Sequence, residues 1–167
     1  RSKMGEEHLE KGEFKEAEDK FKRALAFDEE NVKAKFGLGK THLEQGKTDE
    51  AMEIFNELSQ IDSLFEEENK HVFNEFGIEL RKLEKYDLAI ANYEKAITID
   101  ALDEALYYNL ARAYDKKDLL GKAIEKLKEA LKIEKDFPEA QTYLSHLMEK
   151  EKKMIKDLTR TKIDDFK

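Results

Sequence analysis

Residues Tyr86 to Asp100 read YDLAIANYEKAITID, and the repetition of this stretch decides the fold. Leu88, Ala89, Tyr93, Ala96 and Ile97 recur at three- and four-residue steps. That spacing gathers small and bulky apolar groups on one stripe of a helix and leaves Glu94 and Lys95 outside it. Aligning Ala89 with its counterparts gives Ala17, Ala51, Ala89 and Ala123, at intervals of 34, 38 and 34. A period in the thirties is the mark of stacked helical repeats, in which one unit cannot bury its apolar face without the next. The fold class is therefore all-α, and the architecture argues for a binding scaffold.

Composition narrows the function further. With 42% charged residues and a net charge of −8, the chain should be soluble and should repel nucleic acid and anionic membrane. There is no cysteine, which removes disulfides, thiolate metal sites and a thiol nucleophile together. One proline and seven glycines among many Ala, Leu, Glu and Lys favour helix almost throughout. No apolar run approaches the roughly 18 residues of a membrane span, so membrane insertion is not expected. The first repeat looks cut at Arg1, which reads as a segment excised from a longer chain; a cytoplasmic location is the expectation.

Taken in order, residues 1–11 predict a short helix ending at Gly12, and Phe14 opens a second helix to about Asp28, the two forming a hairpin. Asn31 caps a third helix that stops at Gly46, and a fourth carries Ala51, Met52, Ile54, Phe55 and Leu58. The four extra residues of the longer interval fall near 66–69, where EEEN stands. Helix five carries Phe73, Phe76, Gly77 and Leu80, and the opening stretch is helix six. Asp103 caps helix seven, helix eight runs from about Leu120 to Glu134, and Pro138 starts one long final helix. The four repeats span about 1–31, 32–65, 70–103 and 104–137, and residues 138–167 form a capping helix and tail.

The small and aromatic residues stand in four registers at once. They are Gly5, Gly12, Ala17, Phe21 and Ala24; Leu38, Gly39, Gly46, Ala51 and Phe55; Phe73, Phe76, Gly77, Tyr86, Ala89, Tyr93 and Ala96; Tyr107, Leu110, Ala111, Tyr114, Ala123, Leu127 and Ala130. On these residues the chain resembles the tetratricopeptide repeat family over nearly its whole length. The family's tryptophan is absent, and Glu29, Ser63, Ala101 and Lys135 replace its closing proline. Its turn glycine becomes Glu84 and Asp118 in the last two repeats. Because Glu tolerates a left-handed backbone poorly, a different turn type is expected at Glu84.

What the resemblance implies is a right-handed superhelical solenoid of antiparallel hairpins, non-catalytic and without cofactors. Its concave groove, lined by the first helix of each repeat, would bind a peptide or helix of another protein. Carried onto this sequence, the groove positions include Lys33, Phe36, Gly37, Lys40 and Glu44, then His71, Asn74, Glu75 and Ile78, then Ala105, Tyr108, Asn109 and Arg112. Thr142, Tyr143 and His146 extend the row. Phe36, Lys40, Asn74, Ile78, Tyr108, Asn109, Arg112 and Tyr143 are the candidate partner-binding residues. Aromatic groups beside cations suggest an acidic, aromatic-containing segment, while a mixed solvated surface is the plainer alternative. The family's clamp for a C-terminal carboxylate is not matched. Its positions hold Ser2, Glu6, Gly37, His71 and Glu75 in one register and Phe36, Lys40, Glu75, Ala105 and Asn109 in the next, and Glu75 would repel a carboxylate.

His8 and His42 stand one repeat apart and read as packing residues, since two imidazoles without further ligands make a poor zinc site. No catalytic or metal motif is present. The final helix carries Leu144, Leu147, Met148, Met154, Ile155 and Leu158 at helical spacing. Either it is a lid on the array, or the part beyond Glu151 leaves the array and offers 144–163 for self-association, giving a structural or oligomerising domain instead.

Overall fold

The computed structural model describes residues 3–29, 31–58, 60 and 70–166, with side chains from residue 11 and, after the gap, from residue 71. Among them are eight helices: α1 (Lys3–Phe27), α2 (Val32–Glu44), α3 (Thr48–Leu58), α4 (Lys70–Lys82), α5 (Tyr86–Ile99), α6 (Glu104–Lys116), α7 (Leu120–Ile133) and α8 (Pro138–Asp165). The chain divides into two compact units, Arg1–Val72 and Phe73–Lys167.

In the first unit α2 packs on both α1 and α3. Ala34, Leu38, Leu43, Ala51, Phe55 and Leu58 form its core. Asn31 caps α2 as its sequence position suggests, its side chain accepting from the Ala34 N–H at 2.9 Å. The hairpin expected over 1–28 does not form, because α1 runs unbroken through Gly12. A glycine inside a helix costs about 1 kcal/mol, too little to stop it when Glu, Lys and Ala flank it and no capping side chain follows. Nothing approaches Gly12 closely enough to demand the missing Cβ. The insertion assigned to 66–69 lies outside the described residues.

The second unit stacks α5 on α6, α6 on α7 and α7 on α8. Tyr93, Phe73, Phe76, Leu80, Leu106, Leu110, Leu127 and Leu147 fill its interior. The recurring alanines lie inside the helix packing: Ala51 is 1% exposed, and Ala89 and Ala123 are fully buried. Gly77 lies under the Tyr93 ring, so close that a Cβ would stand 2.4 Å from Cε1. Asp103 caps α6 by accepting from the Ala105 N–H at 3.1 Å, and Pro138 occupies the first turn of α8.

The turn at Glu84 departs from its sequence reading. Gly46, Glu84 and Asp118 all take left-handed backbones, with φ of 79°, 61° and 59°. Each closes its helix with the same pair of bonds: Gly46 N to Leu43 O and Lys47 N to His42 O, Glu84 N to Arg81 O and Lys85 N to Leu80 O, Asp118 N to Asp115 O and Leu119 N to Tyr114 O. This is the Schellman arrangement three times over. The helices packed on either side hold Glu84 in a conformation it disfavours locally.

α8 behaves differently along its length. Ala140 and Leu147 are buried, but every residue from Lys152 to Phe166 is exposed. At 28 residues the helix extends about 42 Å, so roughly its second half packs on nothing in its own unit.

Candidate functional site

The first helices of the second unit's hairpins, α4 and α6, and the start of α8 place their side chains in register. The repeat forces this, since each first helix enters at the same phase and positions 34 residues apart become neighbours. Asn109 Nδ2 donates to Asn74 Oδ1 at 3.0 Å, tying α6 to α4. Tyr108 meets Tyr143 edge to face with ring centroids 5.9 Å apart, and Phe137 lies 5.3 Å away on the α7–α8 connection. Arg112 sets its guanidinium 5.9 Å from the Tyr108 centroid. Tyr143 is anchored from behind, its hydroxyl donating to Asp115 Oδ2 at 2.5 Å.

Burial pushes the Tyr143 phenol well above its usual range, and the hydrogen bond to the Asp115 carboxylate and its charge add to that. The hydroxyl is therefore a fixed donor to Asp115, and the ring is what Tyr143 offers to the cleft beside it. Tyr108, Pro138, Glu139, Thr142, Tyr143 and His146 line a cleft of about 530 Å³ beside these rings. The cleft is in the range of a side-chain or small-ligand pocket, apolar with a few polar groups at its rim.

Of the eight residues singled out from sequence, five are thus gathered in the second unit: Asn74, Asn109, Arg112, Tyr108 and Tyr143. Ile78 is half-buried one turn beyond Asn74. Phe36 and Lys40 belong to the first unit, where Phe36 is half-buried and meets the His71 ring edge to face at 6.4 Å. Gly37 is not a groove position: the Phe21 ring of α1 covers it, leaving 2.4 Å to a notional Cβ. His42 is 7% exposed, with Nδ1 3.4 Å from Gln45 Oε1, and the side chain of His8 lies outside the described residues. Asp115 and Phe137 escaped the sequence reading. Asp115 stands three residues past Arg112 on the same helix face, which is the one local signal that could have found it.

Models of the tetratricopeptide repeat match residues 8–64, 77–118 and 104–137. The chain belongs to the tetratricopeptide repeat family. Its fold is accordingly the family's all-α array of helix hairpins, and proteins of this family act as protein-interaction scaffolds. Among solved structures it is similar to MamA from Desulfovibrio magneticus RS-1, with 21% identity over 97% of this chain and 90% of that one and a TM-score of 0.65. It is also similar to PilF of Pseudomonas aeruginosa, at 21% identity over 91% of this chain and 68% of that one, TM-score 0.64. A third likeness is the first TPR of Spaghetti (RPAP3) bound to the HSP90 peptide SRMEEVD, at 19% identity over 73% of this chain and 94% of that one, TM-score 0.56. At these identities the likeness is one of fold. No curated protein sequence matches the chain. Among the described residues no helix is long and apolar enough to cross a membrane, and no group of three or more His, Asp or Glu is arranged to hold a metal ion.

Proposed function

We propose that this chain binds a short segment of a partner protein on the face formed by α4, α6 and α8, as a non-catalytic scaffold built of the repeats 32–65, 70–103 and 104–137 and the capping helix that follows. The observation that carries the reading is the cleft lined by Tyr108 and Tyr143, with Phe137 set against the Tyr108 ring. Repeat packing does not require three aromatic rings at the outer edge of the stack, and Asp115 spends its carboxylate holding one of them in place. Asn74 and Asn109 bring amides to the same face, and Ile78 adds an apolar step. The groups are ordered before any partner arrives, so the partner segment bears most of the ordering cost. The related RPAP3 repeat holds a peptide rich in acidic residues, SRMEEVD, which supports a segment as the ligand class. Phe36 and Lys40, one helical turn apart on α2, belong to the first unit.

The test is selection of random decapeptides displayed on phage against the whole chain, with affinities of the selected peptides measured by fluorescence anisotropy. Peptides that bind the wild type and lose affinity about tenfold or more with Tyr108→Ala support the reading, in line with aromatic anchors at interfaces. Failure to select any peptide, or peptides indifferent to Tyr108→Ala, refutes it.

A second reading rests on α8. Met154, Ile155, Leu158 and Ile163 are 49%, 58%, 62% and 54% exposed on one amphipathic helix, a ridge suited to self-association through 144–163. Light scattering across concentration decides this. A dimer abolished by truncation after Glu149 would establish association as the main role of this end, and a monomer at every concentration would remove it.

A further inference from the structure

The face by which α8 packs on its own unit does not end where the packing does. Ala140 and Leu147 are fully buried and Glu151 is half-buried. Steps of four and seven residues carry the same face on from Leu147 through Glu151 to Leu158, which is exposed, with Met154 and Ile155 exposed on either side of it. α8 is one continuous helix to Asp165, so this uncovered face is presented already formed.

The order of residues along it is particular. Met148, Glu151, Ile155, Leu158, Lys162 and Asp165 fall at alternating steps of three and four, the 3.5-residue period of a helix that pairs lengthwise with another. Ile155 and Leu158 stand at the centre, and the groups that bracket them, Glu151 and Lys162, are opposite in sign. Neither forms an ion pair among the described residues, where the salt bridge on this helix joins Lys152 to Glu149. That order sets the direction in which a second copy of the helix can lie. In a parallel pair each position meets itself, so Glu151 faces Glu151 and Lys162 faces Lys162, and both contacts repel. In an antiparallel pair centred between residues 156 and 157, Ile155 lies opposite Leu158 of the second copy, and Glu151 lies opposite its Lys162. Twofold symmetry makes each of these contacts twice.

We infer that two copies of this chain associate through an antiparallel pairing of residues 151–162 of α8, with Ile155 and Leu158 at its centre, Met154 beside them and a Glu151–Lys162 ion pair at each end. This rests on the self-association reading above and gives it a direction and a register. The contact is bounded at Glu151, because the face before it is already buried in its own unit. About three turns of helix make a small interface, below the roughly 1,200 Å² of stable complexes, so the dimer should be weak, with a dissociation constant on the order of 100 μM. A second copy suits the face better than an anionic surface does, since the stripe carries both signs of charge and the chain as a whole is at −8.

The chain has no cysteine, so an introduced one reports on the register without interference. Glu151→Cys and Lys162→Cys variants of the whole chain are oxidised separately and as an equimolar mixture, and the products are sorted by mass. The expected result is a disulfide-linked heterodimer from the mixture and little product from either variant alone. In the antiparallel pair a residue at 151 stands 11 residues, about 16 Å, from its own counterpart, whereas a disulfide spans roughly 6 Å between Cα atoms. Charge reversal reads the same register without oxidation. By sedimentation velocity, Glu151→Lys and Lys162→Glu should each weaken the dimer about fivefold or more, and the double variant should return close to the wild type. Disulfide homodimers from each cysteine variant alone, or single reversals without effect on a dimer that forms, overturn the antiparallel pairing while leaving self-association standing. A monomer at every concentration up to about 1 mM removes both. A monomer that sediments with phosphatidylserine vesicles, and ceases to when cut after Glu149, also overturns the inference, since the face would then belong to a lipid surface.

Discussion

Replacing Gly77 by alanine sets helix propensity against packing, and the structure says which wins. Alanine is favoured over glycine inside a helix by about 1 kcal/mol, so α4 considered alone should gain. The new Cβ, however, would stand 2.4, 2.7 and 2.9 Å from Cε1, Cδ1 and Cζ of Tyr93. Comfortable carbon contacts begin near 3.5 Å, so ring or helix must retreat by about 1 Å. Tyr93 is fully buried, so its ring can retreat only by displacing core neighbours. Overpacking of this kind costs about 1–3 kcal/mol, which after the gain in propensity leaves a net loss of up to about 2 kcal/mol. Urea unfolding at 25 °C on wild type, Gly77→Ala, Tyr93→Leu and the double variant measures it. With the ring gone the clash goes too, so Gly77→Ala should be neutral or stabilising in the Tyr93→Leu background, and the coupling between the two sites should reach about 1 kcal/mol or more. If Gly77→Ala matches or exceeds the wild type in stability, or costs the same in both backgrounds, the close approach is not what requires glycine here.

Three further outcomes follow from the same geometry. Glu84→Gly should raise the urea midpoint, because the left-handed backbone costs a non-glycine residue about 1–2 kcal/mol and glycine's greater unfolded freedom returns up to about 1; Asp118→Gly should gain less, and a destabilised Glu84→Gly variant would contradict the turn. Tyr93, Tyr107, Tyr114 and Tyr143 all have phenols pushed above the ordinary value, each chiefly by burial. Since the raised value belongs to the folded state, the stability they contribute is fully present below the unfolded phenol's pKa of about 10 and is lost as pH rises toward the folded values. Denaturant midpoints should therefore hold steady to about pH 9.5 and then fall, less steeply in Tyr143→Phe, while absorbance at 295 nm shows these phenols ionising late. Finally, truncation after Glu149 should leave the melting temperature within a degree or two, as surface changes cost about 0.5 kcal/mol or less, whereas Leu147→Ala should cost about 2–5 kcal/mol because it empties a fully buried site.

Helix type and position were legible wherever the signal was local. Asn31 and Asp103 cap the helices they precede, and Pro138 opens α8, because each acts on backbone groups within three residues of itself. The first-helix face was legible too, since Tyr108, Asn109 and Arg112 follow from the phase of the repeat. Gly12 misled for the same reason it attracted notice: a glycine permits a helix to end but does not compel it. Glu84 misled in the opposite direction, its own preference being outweighed by the helices that bracket it.

The sequence by itself determined the repeat. Small residues at Ala51, Ala89 and Ala123 and bulky ones between them impose close-packed hairpins whatever their partner, because helical period and side-chain volume are read directly from residue order. Only the tertiary structure decided which polar groups meet. Tyr143 and Asp115 are 28 residues apart, and Asn74 and Asn109 are 35 apart. No local pattern links them, and their bonds exist because stacking brings successive first helices within hydrogen-bonding distance.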